Sequence, residues 1–161
     1  MKIANFYILV FSISILPYFS YSQALPESYR INFEHFCEQK KYDSALLFAR
    51  QLNEWALKYE SDTSINYAIS FRYIGNCFDD LQLYDSAFHF WNKSLRFLSL
   101  QNRSESVDAS YCLNNIGNYY LNKGDYNNAE IILKQALEIR KKHLELDHPA
   151  YAAILNSLGN L

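Results

Sequence analysis

An all-α fold built from repeated helix pairs is what this 161-residue sequence predicts, and three observations point to it. First, three columns recur at a spacing of 42 residues: Gly75, Gly117 and Gly159; Tyr42, Tyr84 and Tyr126; Ala45, Ala87 and Ala129. Second, each period holds two apolar patterns at helical spacing. Third, three prolines and four glycines are too few for a loop-rich all-β chain. A fixed period of this length marks stacked supersecondary units, each burying its apolar face against the next.

The elements follow in order. Residues 1–22 carry one lysine, an uncharged and mostly apolar run from Ile3 to Phe19, and small residues at Ser20 and Ser22. That is the layout of a secretory signal peptide cleaved after Ser22, which implies an extracytoplasmic (periplasmic or secreted) product. An uncleaved helix anchoring the chain in a membrane is the alternative, since about 17 apolar residues just span a bilayer. Units are then expected at 26–60, 64–101 and 106–146, and the first helix of a fourth at 149–161. In each unit the first helix carries sets such as Phe71, Ile74 and Phe78, or Leu113, Ile116 and Tyr120. The second starts at the recurring tyrosine, in YDSA, YDSA and YNNA, and continues through sets such as Ala129, Ile132, Leu133, Ala136 and Leu137.

A glycine inside a helix costs about 1 kcal/mol relative to alanine, so Gly75 and Gly117 need a reason. Close packing of the paired helix supplies one, with Ala129 the expected neighbour of Gly117 and Ala136 further along. Glu130–Lys134 and Glu138–Lys142 are favourable i,i+4 pairs, and Arg140, Lys141 and Lys142 read as a solvated face suited to the helix dipole. In LDHPAY, Asp147 or His148 is placed to cap the next helix, and Pro149 fits its first turn.

The chain is half apolar and 17% aromatic, with a net charge of −2 and no basic block, which argues against nucleic acid as a partner. Cys37, Cys77 and Cys112 show no CxxC or metal spacing. Export permits a disulfide, but apolar neighbours on helices favour buried free thiols. The histidines form no metal pair, and no nucleophile elbow, phosphate loop or dinucleotide fingerprint occurs. Asp79-Asp80 has no partner acid or histidine at a useful spacing. No catalytic residue, metal or cofactor is expected.

The columns Ile74-Gly75, Ile116-Gly117 and Leu158-Gly159, the aromatics Phe78 and Tyr120, the turn Gly124-Asp125-Tyr126 and the pair Ala136-Leu137 resemble tetratricopeptide repeats (TPR). Repeats of that family usually span about 34 residues. The longer period and ALEIRKKHLELDHPAYAAILNSLGNL are similar to the variant in kinesin light chains and in exported bacterial TPR proteins, and bacterial arrays joined to caspase-like CHAT peptidase domains use similar units. The resemblance covers about Glu27 to Leu161 and is weakest in the first unit, where Phe33 replaces the glycine and Leu52 the second alanine. It implies a right-handed TPR superhelix whose first helices line a concave, peptide-binding groove, in a non-enzymatic scaffold for a protein or peptide partner.

On those helices Asn76, Asn118 and Asn160 follow the glycines, and Arg72, Asn114 and Asn156 precede them by one turn. Such a ladder can hold an extended peptide by its backbone, with Arg72 taking a carboxylate and Tyr73 and Tyr111 adding flat contacts. It can equally bond neighbouring repeats to each other. The sequence stops at Leu161 with no second helix for the last unit. It therefore reads as a fragment, and the rival expectation is the recognition arm of a longer enzyme or signal transducer, with a peptidase, histidine kinase or DNA-binding domain downstream.

Overall fold

The computed structural model describes residues 18–145 and 148–161, with side chains from residue 28 on. The predicted leader therefore lies outside the described residues up to residue 17, as does Asp147. Among the described residues all regular structure is helical: α1 (Tyr18–Glu38), α2 (Tyr42–Tyr59), α3 (Ile65–Asp80), α4 (Tyr84–Leu100), α5 (Val107–Asn122), α6 (Tyr126–His143) and α7 (Pro149–Gly159). No helix among these residues is long and apolar enough to cross a membrane. The second helix of each pair opens on its recurring tyrosine. Ser64 and Ser106 cap α3 and α5, accepting from the backbone N–H of Tyr67 and Ala109. His148 caps α7 through Nδ1, and Pro149 occupies its first turn.

Three-residue links fold each pair into an antiparallel hairpin. The three links share one conformation. Lys40, Gln82 and Gly124 stand 42 residues apart, with φ of 56°, 62° and 75°. After each, the next N–H reaches back to the carbonyl of Phe36, Phe78 or Tyr120, closing the same left-handed helix end three times.

Each second helix packs against its own first helix and against the first helix of the following unit; first helices also touch, α1 on α3 and α5 on α7. This is a solenoid, with a core made wherever consecutive elements meet. The stacked rings Phe36–Phe48 and Phe78–Phe90, at 5.4 and 5.3 Å, are one contact repeated in the first two units. Tyr120 and Ile132 hold those columns in the third.

The glycine column has a different partner from the one expected. A Cβ on Gly117 would lie 2.6 Å from Cγ and Cδ2 of Leu133, not against Ala129. On Gly75 it would lie 2.6 Å from Cδ1 of Trp91 and 3.2 Å from the Ala87 carbonyl oxygen. Trp91 and Leu133 occupy one column of the second helix, and each fills the notch its glycine leaves. In the first unit the sizes are exchanged: Phe33 stands in the glycine column, Ala49 in that of Trp91, and both are buried in one cluster. At Gly159 an added Cβ meets nothing within 4 Å.

Two surface expectations are also corrected. Arg140 is only 1% exposed. Its Nε donates to Ser110 Oγ at 3.1 Å, its Nη1 donates to the Ala150 carbonyl, and its guanidinium lies over the Tyr111 ring. Ala56 and Leu98, both buried, fill the same column in the earlier units, so this is a core position that here holds a tether for α7. Glu138 pairs with Lys141 rather than Lys142, which reaches Glu105 at 2.9 Å; Glu130–Lys134 forms at 2.6 Å.

Candidate peptide-binding face

The helical repeat brings the ladder residues onto the first helices α3, α5 and α7, but their surroundings divide them. Arg72 and Asn76 on α3 are occupied by neighbours. The Arg72 Nη2 donates to the Asp108 carboxylate at 3.3 Å, and the guanidinium lies against Tyr73 and Tyr111. Asn76 Oδ1 accepts from the Trp91 indole and from Asn115 Nδ2, both at 2.9 Å. These bonds tie α3 to α4 and α5. Asn114 is 8% exposed, and its Oδ1 is buried without a hydrogen-bond partner. Tyr73 is buried, stacked on Phe33 at 4.3 Å, so it offers no outward ring.

Asn118, Asn156 and Asn160 meet instead in one cleft of about 480 Å³. Asn118 comes from α5, and Asn156 and Asn160 from the end of α7. Asp79, at the end of α3, closes one side, and Asn122 and Tyr126, at the α5–α6 turn, close another. The 42-residue period sets this convergence, because equivalent helix ends stack at one edge of the array. None of the four asparagine side chains has a hydrogen-bond partner among the described residues, whereas Asn76 has two. Free amides offer both N–H donors and carbonyl acceptors, the complement of an extended backbone.

Asp79 is the one charged side chain that lines the cleft among the described residues. Partial burial, then the negative charge of adjacent Asp80, hold its carboxyl above the ordinary carboxylate value. Burial raises Asp80 in the same direction. Asn122 and the Asp79 carboxylate were not among the expected binding residues. Their signal was available, since Asp79 lies three residues after Asn76 and Asn122 four after Asn118, one turn further along the same face. No group of three His, Cys, Asp or Glu side chains that could hold a metal occurs among the described residues.

The tetratricopeptide-repeat family matches residues 110–150, covering α5, α6 and the start of α7. Among solved structures the fold is similar to BtubC (BKLC) from P. vanneervenii, with a TM-score of 0.65 and 17% sequence identity. That likeness takes in 86% of this chain, which spans only 58% of the BtubC chain. No curated protein sequence matches.

Proposed function

We propose that this chain, a tetratricopeptide-type repeat protein, is a non-catalytic interaction module that holds an extended segment of a partner protein in the Asn118–Asn156–Asn160 cleft. The convergence there of side-chain amides with no internal partner is the observation that supports this reading. Each amide left free in water gains by pairing with a backbone, and none must first break a bond within the fold. With Asp79 as the charge lining the cleft, a segment carrying lysine or arginine is favoured over an acidic one.

Export is part of the proposal, and the layout of residues 1–22 supports it. Helix α1 runs through Pro26. Cleavage after Ser22 would leave that proline in the first turn of the shortened helix, where its missing N–H costs nothing. Mass spectrometry of secreted or periplasmic protein is expected to find Gln23 at the amino terminus.

The binding test starts from peptides selected out of a random nonapeptide library on the purified protein, then resynthesised with Lys or Glu at the central position. Lys peptides are expected to bind about tenfold more tightly than their Glu counterparts, a difference near 1.4 kcal/mol. Asn118→Ala with Asn156→Ala should weaken both without changing the helical circular dichroism. Asp79→Asn should remove the Lys/Glu difference and leave the remaining affinity. Peptides indifferent to all three substitutions would place recognition elsewhere on the array.

A further inference from the structure

Cys37 and Cys77 have no role in the repeat. Their columns hold Cys37, Asp79 and Leu121 in one case and His35, Cys77 and Tyr119 in the other, so nothing in the periodic packing calls for a thiol at either place. Yet the fold brings the two onto adjoining turns: Phe33 on α1 stacks on Tyr73 on α3 at 4.3 Å, and Cys37 and Cys77 each stand four residues further along those helices. Helix α1 packs on α3, Cys77 is fully buried in the core of the first units, and half-buried Cys37 lies against that same cluster.

We propose that Cys37 and Cys77 form a disulfide in an oxidising environment, stapling the first repeat unit to the second. The chemistry is thiol–disulfide exchange with a disulfide oxidant. The Cys37 thiolate attacks one sulfur of the oxidant, forming a mixed disulfide and expelling one thiolate. Cys77 gives up its proton to that thiolate and attacks the Cys37 sulfur, and the second oxidant thiolate leaves. Two protein thiols lose two protons and two electrons, and one oxidant disulfide becomes two thiols.

The two cysteines are suited to different parts of this sequence. Hydrogen bonding to Cys77 holds the Cys37 thiol below its ordinary value, against burial and the charges of Asp80 and Glu34. Cys37 is also the one an oxidant can reach, since Cys77 is closed off. Once a mixed disulfide forms, the charge on Cys37 is gone, and Cys77 no longer shares its proton with a thiolate. Cys112 stands outside the pair: it is wholly buried, and burial pushes its pKa up to about 11. It serves as an internal control. The staple would enclose all of α2 and tie α1 to the end of α3, two residues before Asp79 on the border of the Asn118 cleft.

The test equilibrates the purified full chain with oxidised and reduced glutathione, then counts thiols after denaturation and maps the peptides. Expected are one free thiol, at Cys112, a linked Cys37–Cys77 peptide, and a Tm roughly 5–10 °C above that of the reduced protein. Cys37→Ser should lose both the link and the Tm difference, and Cys112→Ala should keep both. Three free thiols in the oxidised sample would overturn the proposal. So would Cys37 held as a stable glutathione adduct, or Cys37 linked to Cys37 of a second copy.

Discussion

At Gly117 a methyl group would press on Leu133, whose branched end lies within one helix-packing contact, whereas at Gly75 it would meet the flat indole of Trp91 and a backbone carbonyl. A leucine end can rotate; an indole whose N–H is already bonded to Asn76 cannot turn without losing that bond. Gly75→Ala is therefore expected to destabilise by about 2–3 kcal/mol and Gly117→Ala by about 1 kcal/mol, after the helix-propensity gain is subtracted. Gly159→Ala, which meets nothing, should change stability by no more than about 0.5 kcal/mol. Urea melts of the three variants read the order directly, and equal losses at all three would remove the account of the column. The links supply the converse case. Gln82 holds φ of 62° without the freedom glycine has, whereas Gly124 serves the third copy of the same turn. Gln82→Gly is thus expected to raise stability by about 0.5–1 kcal/mol, strain relief at the folded turn exceeding the added freedom of the unfolded chain. A loss of stability in the same melts would mean that the Gln82 side chain contributes more than its backbone costs.

Helix α7 shows what an element needs besides its own pattern. Its inner face reaches α6 and α5 through Ile154 in a small cluster with Leu113, Ala136 and Ile139, and Arg140 holds its first turn through the Ala150 carbonyl. Its outer side is open at Leu155 and at Gly159. Arg140→Ala removes the tether and leaves a cavity, so α7 should loosen while α3–α5 keep their packing, at a cost of about 2–4 kcal/mol. Hydrogen exchange is expected to speed up in residues 149–159 far more than in α3; uniform acceleration would make Arg140 a global core residue rather than a local anchor. The element order itself was legible in the sequence, because small residues such as Ala45, Ala87 and Ala129 are demanded wherever two helices touch, and their spacing is the repeat. Arg140 was not legible in isolation, since a basic residue before Lys141 and Lys142 near a helix end looks solvated. Set in its column with Ala56 and Leu98, it stands where the other units bury a side chain. The ladder was half legible for a related reason: spacing assigns a residue to a face, but only the neighbouring helix decides whether Asn76 bonds to Trp91 or Asn118 stays free.

For the molecule as a whole, pH sets two groups of carboxyls against each other. Hydrogen bonds and charge from Tyr119 and Lys123 lower Asp85, and Lys142 lowers Glu105. Their contribution is present above the ordinary carboxylate range and fades as pH falls through it, but both are largely exposed, where salt screens such pairs. Asp79 and Asp80 are raised, so the folded chain binds their protons more tightly than the unfolded chain does. That contribution is complete at low pH and is lost as pH rises through the raised values. Asp79→Asn, which removes the charge without changing the shape, should therefore raise Tm near pH 7 and give no gain at about pH 3, where the wild-type carboxyl is already neutral. A Tm difference independent of pH would mean that the carboxyl is not perturbed. The same residue connects stability to the cleft. An ionised Asp79 that the fold disfavours is one that an incoming ammonium or guanidinium would relieve, so a Lys peptide should bind the ionised form and release a proton wherever Asp79 is partly protonated. Its affinity is expected to fall as pH drops through the raised Asp79 value, and the affinity of the same peptide for Asp79→Asn should stay level over that interval. Calorimetry in two buffers of different ionisation enthalpy counts the proton, and no proton release from the wild-type protein would separate Asp79 from the ligand altogether.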